Sequence, residues 1–486
     1  MILTNLNRQE RNAKLLAIAT SPEVQMYSLY HDYYRGIHFV RSSYTTSDYD
    51  KSNNSRVTTR SGTELYDEHT SDDKVIVKSN WCAPIIETIG DYTRGVNEPI
   101  VINADQKEDE LRQIWEDNKI DTMTHELAYE AGIFGKSFIR LKRDDAGQFT
   151  LKQLDPASVY ECVDPITGNR DSVIFWFGMS KMTAKLMYPN LPLEGSSTGE
   201  VYYSEEWDNG LVYKYVDGYQ INEINDDGQV RDLNPYGFIP FFEVPGNIYR
   251  SSDIHDVISL NDELNITLTY VNEIFRYSAF PMLAPKGSFT NDTPVLSKEQ
   301  LQEVEISPKT ILPIPMERIE GKGVDSSVGD HIDQIKKDIS IVSGVPMKML
   351  MAELDGTSSG IALERMLGAV IKQAEVRRSY IRQTYKEINK AILTLLGVDQ
   401  KVKTDVIFPE MIKIDMNERL DEAIKKQTIG LSRETIMDEL GYDYEDEEAK
   451  RKTELENSVD NTLNDELRTD NQDKSKKGTD PQEGRR

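Results

Sequence analysis

The apolar positions along the chain change period several times, and each change marks a different kind of structure. Residues 1–40 read mostly as helix, with apolar and tyrosine positions leading to Tyr33-Tyr34-Arg35-Gly36. Residues 41–73 are dense in Ser, Thr, Asp and Asn and hold almost no aliphatic side chain, which predicts a surface loop or a mobile insertion. A short strand or helix, a helix from Pro84 to Tyr92 and a turn from Gly95 to Pro99 follow, then a helical pattern from Asp105 to Ala131. Between Ser137 and Phe242 the runs Ser137–Lys142, Val173–Phe177, Val201–Trp207 and Leu211–Val216 are rich in aromatic and β-branched residues. Asp155-Pro156, Asp164-Pro165, Thr167-Gly168, Asn209-Gly210 and Asp227-Gly228 punctuate them, as in an antiparallel sheet of hairpins. No helix-length segment regularly separates these strands, so the fold class is α+β rather than parallel α/β.

After Pro245-Gly246 the period becomes helical. Ser252 or Asp253 is placed to cap a helix in which Ile254, Val257, Ile258, Leu264, Leu268, Val271 and Phe275 form one apolar face. Leu260, Ile266, Tyr270, Ile274 and Tyr277 form a second, so this helix packs on two sides before Pro281 ends it. Residues 281–325 form a compact interlude with strands over Met282–Phe289 and Thr310–Met316 and a short helix opened by a Ser297/Gln300 capping box. Val328, Ile332, Ile335, Ile339 and Val342 then recur at spacings of four and three, a helix seam stopped by Gly344 and Pro346. The loop Val345–Ser358 follows, with Met347, Met349 and Met351 in it and Met366 near it. A last long helix runs from Ser358 or Ser359 to Leu396, capped by Gly397, and measures about 58 Å at the helical rise. Residues 405–416 predict a strand, Asn417–Leu440 and Glu445–Leu467 predict helices, and residues 469–486 lack apolar side chains and predict disorder.

Composition narrows what such a chain does. Of 486 residues, 38% are hydrophobic and 29% charged, and the formal net charge is −26. That acidity argues against a sequence-reading DNA binder, which grips phosphates with a basic surface. It is compatible with a conduit, because a negative wall repels phosphate and lets DNA slide. Cys82 and Cys162 make no disulfide framework, which points to a reducing compartment. The longest apolar run, near Val173–Met179, is far short of the ~20 residues of a membrane helix, and Leu15–Ala19 is too short for a signal peptide.

No enzyme chemistry stands out. Gly132-Ile133-Phe134-Gly135-Lys136-Ser137 echoes a phosphate-binding loop, but Glu130 occupies the position of its first glycine. A helical stretch also precedes it and a strand follows, the reverse of that motif's context, so a helix-to-strand turn at Gly135 is the better reading. His31, His38, His69, His125, His255 and His331 form no metal-binding spacing, and Glu445-Asp446-Glu447-Glu448 reads as a solvated helix face. No catalytic residue, cofactor or metal is expected. The basic stripe Arg378, Arg382, Lys386 and Lys390 recurs every four residues on the long helix. It faces either phosphate or, more in keeping with the net charge, an acidic neighbour. Lys336, Lys337 and Lys348 are further candidates to touch DNA, and the methionines are either core filler or a flexible apolar loop.

The order helix, small αβ interlude, seam helix, loop, very long helix resembles the stem, clip, stem, tunnel loop and long kinked helix of tailed-bacteriophage portal proteins of the siphophage type. Tyr33-Tyr34-Arg35-Gly36, the stretch from Asn80 through Gly95 to Pro99, Ser343-Gly344-Val345-Pro346, Gly356-Thr357-Ser358-Ser359-Gly360-Ile361-Ala362-Leu363 and Gly430-Leu431-Ser432-Arg433-Glu434-Thr435 are similar to segments of that family. The likeness runs over roughly residues 25–468, and the polar stretch 41–73 is longer than the pattern needs. The resemblance implies a wing over 1–250, stem helices over 251–280 and 326–343, and a clip over 281–325. It also implies a tunnel loop over 344–358, a wing helix over 359–397 with a return strand over 398–416, and a helical crown over 417–468.

It further implies a twelve-subunit ring at one capsid vertex, a part of the virion made in the host cytoplasm. Double-stranded DNA would pass through that ring without sequence readout during packaging and ejection. The terminase large subunit, major capsid and scaffold proteins, and a head–tail adaptor would dock on it, with no membrane partner. Under that reading Lys336, Lys337, Met347, Lys348, Met349 and Met351 are channel candidates, and Asp253, Asp256, Asp262, Glu263 and Glu273 supply a repulsive channel wall. The competing reading is a structural protein of a phage capsid or baseplate without a channel.

Overall fold

The computed structural model describes residues 3, 6–44, 54–61, 64–67, 76–96, 98–193, 199–221, 233–279, 282–285, 316–319, 325–351, 360–398, 401–412, 423–439, 444 and 447–452. It divides into a large unit, Met1–Ser358 with Ala362–Ile412, and a small one, Ser359–Ile361 with Lys413–Arg486. The fold is mixed α+β, with antiparallel pairing in every sheet among the described residues.

Two helices open the chain. Asn7 caps α1 (Arg8–Ala19) with a reciprocal box to Glu10, and Ser21 with Pro22 starts α2 (Pro22–Tyr34). Next come α3 (Cys82–Arg94), α4 (Glu108–Asp117) and α5 (Ile120–Phe134). The turn dipeptides found in the sequence then produce two sheets. Strands β7 (Val159–Val163), β8 (Arg170–Ser180), β9 (Glu200–Trp207), β10 (Val212–Val216) and β11 (Tyr219–Gln220) pair in chain order as a meander. A short helix, α6 (Lys181–Met187), interrupts the passage from β8 to β9. Strand β5 (Lys136–Arg143) lies between β6 (Phe149–Leu154) and the returning β12 (Phe241–Pro245).

The alternation of β5 decides the layering. Phe138 and its neighbour Phe241 face the five-stranded meander with Val173 and Trp207, while Ile139, Leu141, Phe242 and Val244 face the opposite way. That second face receives a helix of 36 residues, α10 (Gly360–Leu395), through Ile381, Tyr385, Ile388 and Ile392. At the helical rise α10 is about 54 Å long. Its Asn389 accepts a hydrogen bond from buried Trp115 Nε1 at 2.6 Å, which fixes α4 against it. Strand β4 (Val101–Ala104) pairs with β15 (Thr404–Ile407), which closes the same core beside α10.

A second core is largely helical. Here α7 (Ile258–Ala279) and α8 (Ser326–Ser343) pack through Leu264, Ile335 and Ile339 onto Tyr33, Ile85, Ile86 and Ile89. Val345, Leu367 and Val370 complete it. Between α7 and α8 in the chain, β13 (Met282–Pro285) pairs with β14 (Met316–Ile319). The Ser297/Gln300 capping box falls outside the described residues, as do residues 352–358 of the expected loop and the tail 469–486.

The expectation for the polar segment is corrected. The segment 41–73, read as a loop or mobile insertion, contributes to three antiparallel strands, β1 (Phe39–Tyr44), β2 (Asn54–Thr59) and β3 (Glu64–Asp67). Strand pairing is made by backbone groups, so a polar composition hides it. In the small unit, a helical turn over 423–428 and α11 (Arg433–Glu439) flank Gly430, whose φ is +96°, and Ile436 is buried.

Candidate functional site

The turn that leads into α7, which begins at Ile258 rather than at the Ser252 or Asp253 cap expected from the sequence, is tied to two other elements by buried charge. Asp253 accepts from Arg377 Nη2 at 2.5 Å, and their side chains are 7% and 2% exposed. Arg377, from α10, also donates to the Ala128 carbonyl at 3.1 Å. Burial pushes the Asp253 carboxyl above its usual range, and the Arg377 charge pulls it back only in part. The glycines of the phosphate-loop-like segment make room for this junction. A Cβ on Gly132 would stand 2.8 Å from the Asp253 carboxylate, and one on Gly135 would stand 2.4 Å from the Arg250 carbonyl oxygen. Gly135 ends α5 in the left-handed region at φ +84°, so β5 can begin at Lys136. Lys136 itself pairs with Glu23 at 2.8 Å rather than standing ready for a phosphate.

The basic stripe of α10 turns inward. Arg378 is buried, donating to the Thr93 carbonyl at 2.7 Å and the Pro409 carbonyl at 2.7 Å. Its guanidinium lies at the C-terminal end of α3, where the helix leaves carbonyls without partners. Burial lowers its pKa to about 10. Arg382 donates to the Val406 carbonyl at 3.0 Å, Lys386 pairs with Asp405 at 2.9 Å, and Lys390 is exposed. Backbone carbonyls, more than acids, take up the stripe's charge.

Two of the five acids expected on a channel wall are corrected by burial. Asp253 belongs to the ion pair above. Asp262 is 3% exposed and accepts from Tyr33 Oη at 2.7 Å and from Ser61 Oγ. Asp256 and Glu263 are exposed, and Glu273 is half-buried.

The buried face of α7 carries an arrangement that spacing alone did not reveal. Trp81 N–H donates to Asn261 at 3.1 Å, Ser79 N–H to Asn265 at 2.6 Å, and Val77 N–H to Thr269 at 3.1 Å. Two residues of extended chain advance about 6.6 Å, and four residues of helix about 6.0 Å, so the two repeats stay in step. The only sequence signal was polar side chains at i, i+4 and i+8 on an otherwise apolar face.

Beside this ladder, His38 is fully buried against Tyr33, with ring centroids 5.1 Å apart, and neither ring nitrogen has a hydrogen-bond partner among the described residues. Burial, with Lys78 nearby, lowers its pKa to about 4. An unfolded His titrates near 6.5, so the unfolded chain binds the proton first as pH falls. Stability present above pH ~6.5 is therefore lost toward pH ~4, by up to about 3 kcal/mol from this group. Urea unfolding across that range should show the loss in the wild type and a smaller one in His38→Leu; equal slopes would refute the assignment.

On α8, Lys337 is exposed and Lys336 lies 3.7 Å from Asp333. The seam holds at its centre, where Ile335 and Ile339 are buried, but Val342 is 47% exposed. A single helical turn, α9 (Met347–Leu350), follows Gly344, and Met349 packs against the α7–α8 core while Lys348 and Met351 are exposed. Met347 is half-buried. Among the described residues no cluster of three potential metal ligands occurs, and no helix is long and apolar enough to cross a membrane.

Comparison with curated proteins finds no match. Among solved structures, one described as the neck of a native GTA particle computed with C12 symmetry is 13% identical, with a TM-score of 0.45, covering 74% of this chain and 89% of that one. The neck of an empty GTA particle computed with C6 symmetry is 11% identical, with a TM-score of 0.43, covering 75% and 90%. The family model described as phage portal protein, SPP1 Gp6-like, matches residues 21–461, and the chain belongs to that family.

Proposed function

We propose that copies of this chain close into a ring of twelve at a capsid vertex and that double-stranded DNA passes through its axis during packaging and ejection. The observation that carries this reading is the family match over residues 21–461. The order α7, the β13–β14 pair, α8 and α10 supports assigning them to stem, clip, stem and wing helix. The clip receives the terminase large subunit and later the head–tail adaptor, while the outer wing meets capsid and scaffold proteins. Asp256, Glu263 and Glu273 line the passage and repel phosphate, and Lys336, Lys337 and the Met347–Met351 turn with Lys348 lie where the channel narrows. Exposed Tyr270, Ile274 and Phe275 on α7, with Ile341 and Val342 on α8, suit contacts between neighbouring subunits.

Native mass spectrometry with negative-stain microscopy tests the ring directly: a closed assembly of about a dozen 55.5 kDa subunits with a central hole is expected. A chain that stays monomeric even with capsid and scaffold proteins present would refute it. The triple variant Asp256→Lys, Glu263→Lys, Glu273→Lys should still form rings and package DNA at least tenfold less efficiently, by roughly the steering range of a charged wall. Unimpaired packaging would remove these acids from the passage.

A further inference from the structure

The connection from β12 to α7 exposes two large apolar side chains on a backbone that is held unusually firmly. Ile248 is 69% exposed and Tyr249 is 87% exposed. Single apolar residues at a surface need no explanation, but this pair sits on a built loop. The Asn247 side chain accepts from Tyr249 N–H at 3.0 Å and Ser251 N–H at 3.3 Å, and donates to the Ser251 carbonyl at 2.7 Å. Arg250 is held in the left-handed region at φ 53°, a conformation unfavourable for a side-chain-bearing residue, and Glu243 grips it at 2.5 Å. On the other flank, a Cβ at Gly246 would stand 2.3 Å from the Ala131 carbonyl oxygen, so this end of the loop is pressed onto α5. The strain and the bonds hold Ile248 and Tyr249 outward before any partner arrives, which is what lowers the ordering cost of an interface anchor.

The charge around the pair indicates which partner fits. Three ion pairs share this patch: Lys136–Glu23 at 2.8 Å, Arg250–Glu243 at 2.5 Å and Arg170–Glu161 at 2.5 Å. Glu161 lies within electrostatic reach of Arg170, Glu243, Lys136 and Arg250 together, so the three pairs are neighbours at the foot of the loop. Three acids against three bases leave this cluster balanced, on a chain whose net charge is −26. Two copies of so acidic a chain repel one another over most of their surface, and approach is least opposed where charge is balanced. Apolar side chains beside paired polar ones are also common in protein interfaces.

We propose that Ile248 and Tyr249 form the anchor by which one copy of this chain packs against the next, an inference that rests on the ring reading above. The contact is heterologous, the anchor of one copy entering a different face of its neighbour, as a closed ring requires. Native mass spectrometry over a dilution series tests it with the full-length chain. The double variant Ile248→Ser, Tyr249→Ser should keep the wild-type urea midpoint and need at least about tenfold higher concentration to close rings, the scale of losing a hot spot. Tyr249→Phe should assemble as the wild type does. If the double variant unfolds early, Tyr249→Ser alone carries the test by the same readout. Rings from the variant at wild-type concentration would overturn this inference and leave the ring reading standing. A wild type that never closes would overturn both.

Discussion

Replacing Asp253 by alanine is expected to lower the stability of the large unit by about 3–5 kcal/mol, because it strands the Arg377 charge inside the protein. Arg377 is 2% exposed at its side chain, and its remaining contacts are carbonyls, which solvate a guanidinium without neutralising it. Arg377→Met should produce a loss of similar size by leaving Asp253 alone. The pair is nonetheless not expected to be a net source of stability. Burial raises the Asp253 carboxyl pKa more than Arg377 lowers it, so taking this carboxylate out of water is only partly offset. The double variant Asp253→Leu, Arg377→Met should therefore recover much of what either single variant loses. Urea denaturation of the four proteins measures the coupling directly. Additive losses would mean that the two charges do not depend on one another. What the pair supplies is position: it sets where α7 leaves the α5–α10 junction.

The second large effect is expected at Gly135. An alanine there faces two independent penalties. Its φ of +84° costs a side-chain-bearing residue about 1 kcal/mol. Its Cβ would also stand 2.4 Å from the Arg250 carbonyl oxygen and 2.6 Å from the Ser251 carbonyl carbon, a clash with backbone that no rotamer relieves. Together these give a loss of roughly 2–4 kcal/mol, with valine worse than alanine. Gly168 has a similar φ of +70° with nothing within 4 Å of the added carbon, so Gly168→Ala carries only the first penalty. Thermal or urea midpoints of the two alanine variants separate the contributions. If Gly135→Ala were as mild as Gly168→Ala, the close approach of the Arg250 backbone would be wrong.

Local pattern, by itself, determined the parts of this protein that depend on near neighbours. The hairpin sheets between Ser137 and Phe242 followed from turn dipeptides and alternation, because a tight turn and the strands it joins lie within a few residues of one another. The helix-to-strand turn at Gly135 and the long helix were legible for the same reason. The portal family was legible from a succession of short segments whose order survives where single words are weak.

Tertiary structure alone decided what each charge faces. Asp253 meets Arg377 across 124 residues of sequence, and Tyr33 meets Asp262 across 229, so no window along the chain distinguishes these acids from exposed Asp256 and Glu263. The Arg378–Lys390 stripe had the spacing of a surface track, yet its arginines meet the carbonyls of Thr93, Pro409 and Val406, groups that every residue carries and no composition betrays. The strands within 41–73 were missed on the same ground. Side-chain pattern reports burial, whereas ion-pair geometry and strand pairing depend on partners that only the folded chain brings together.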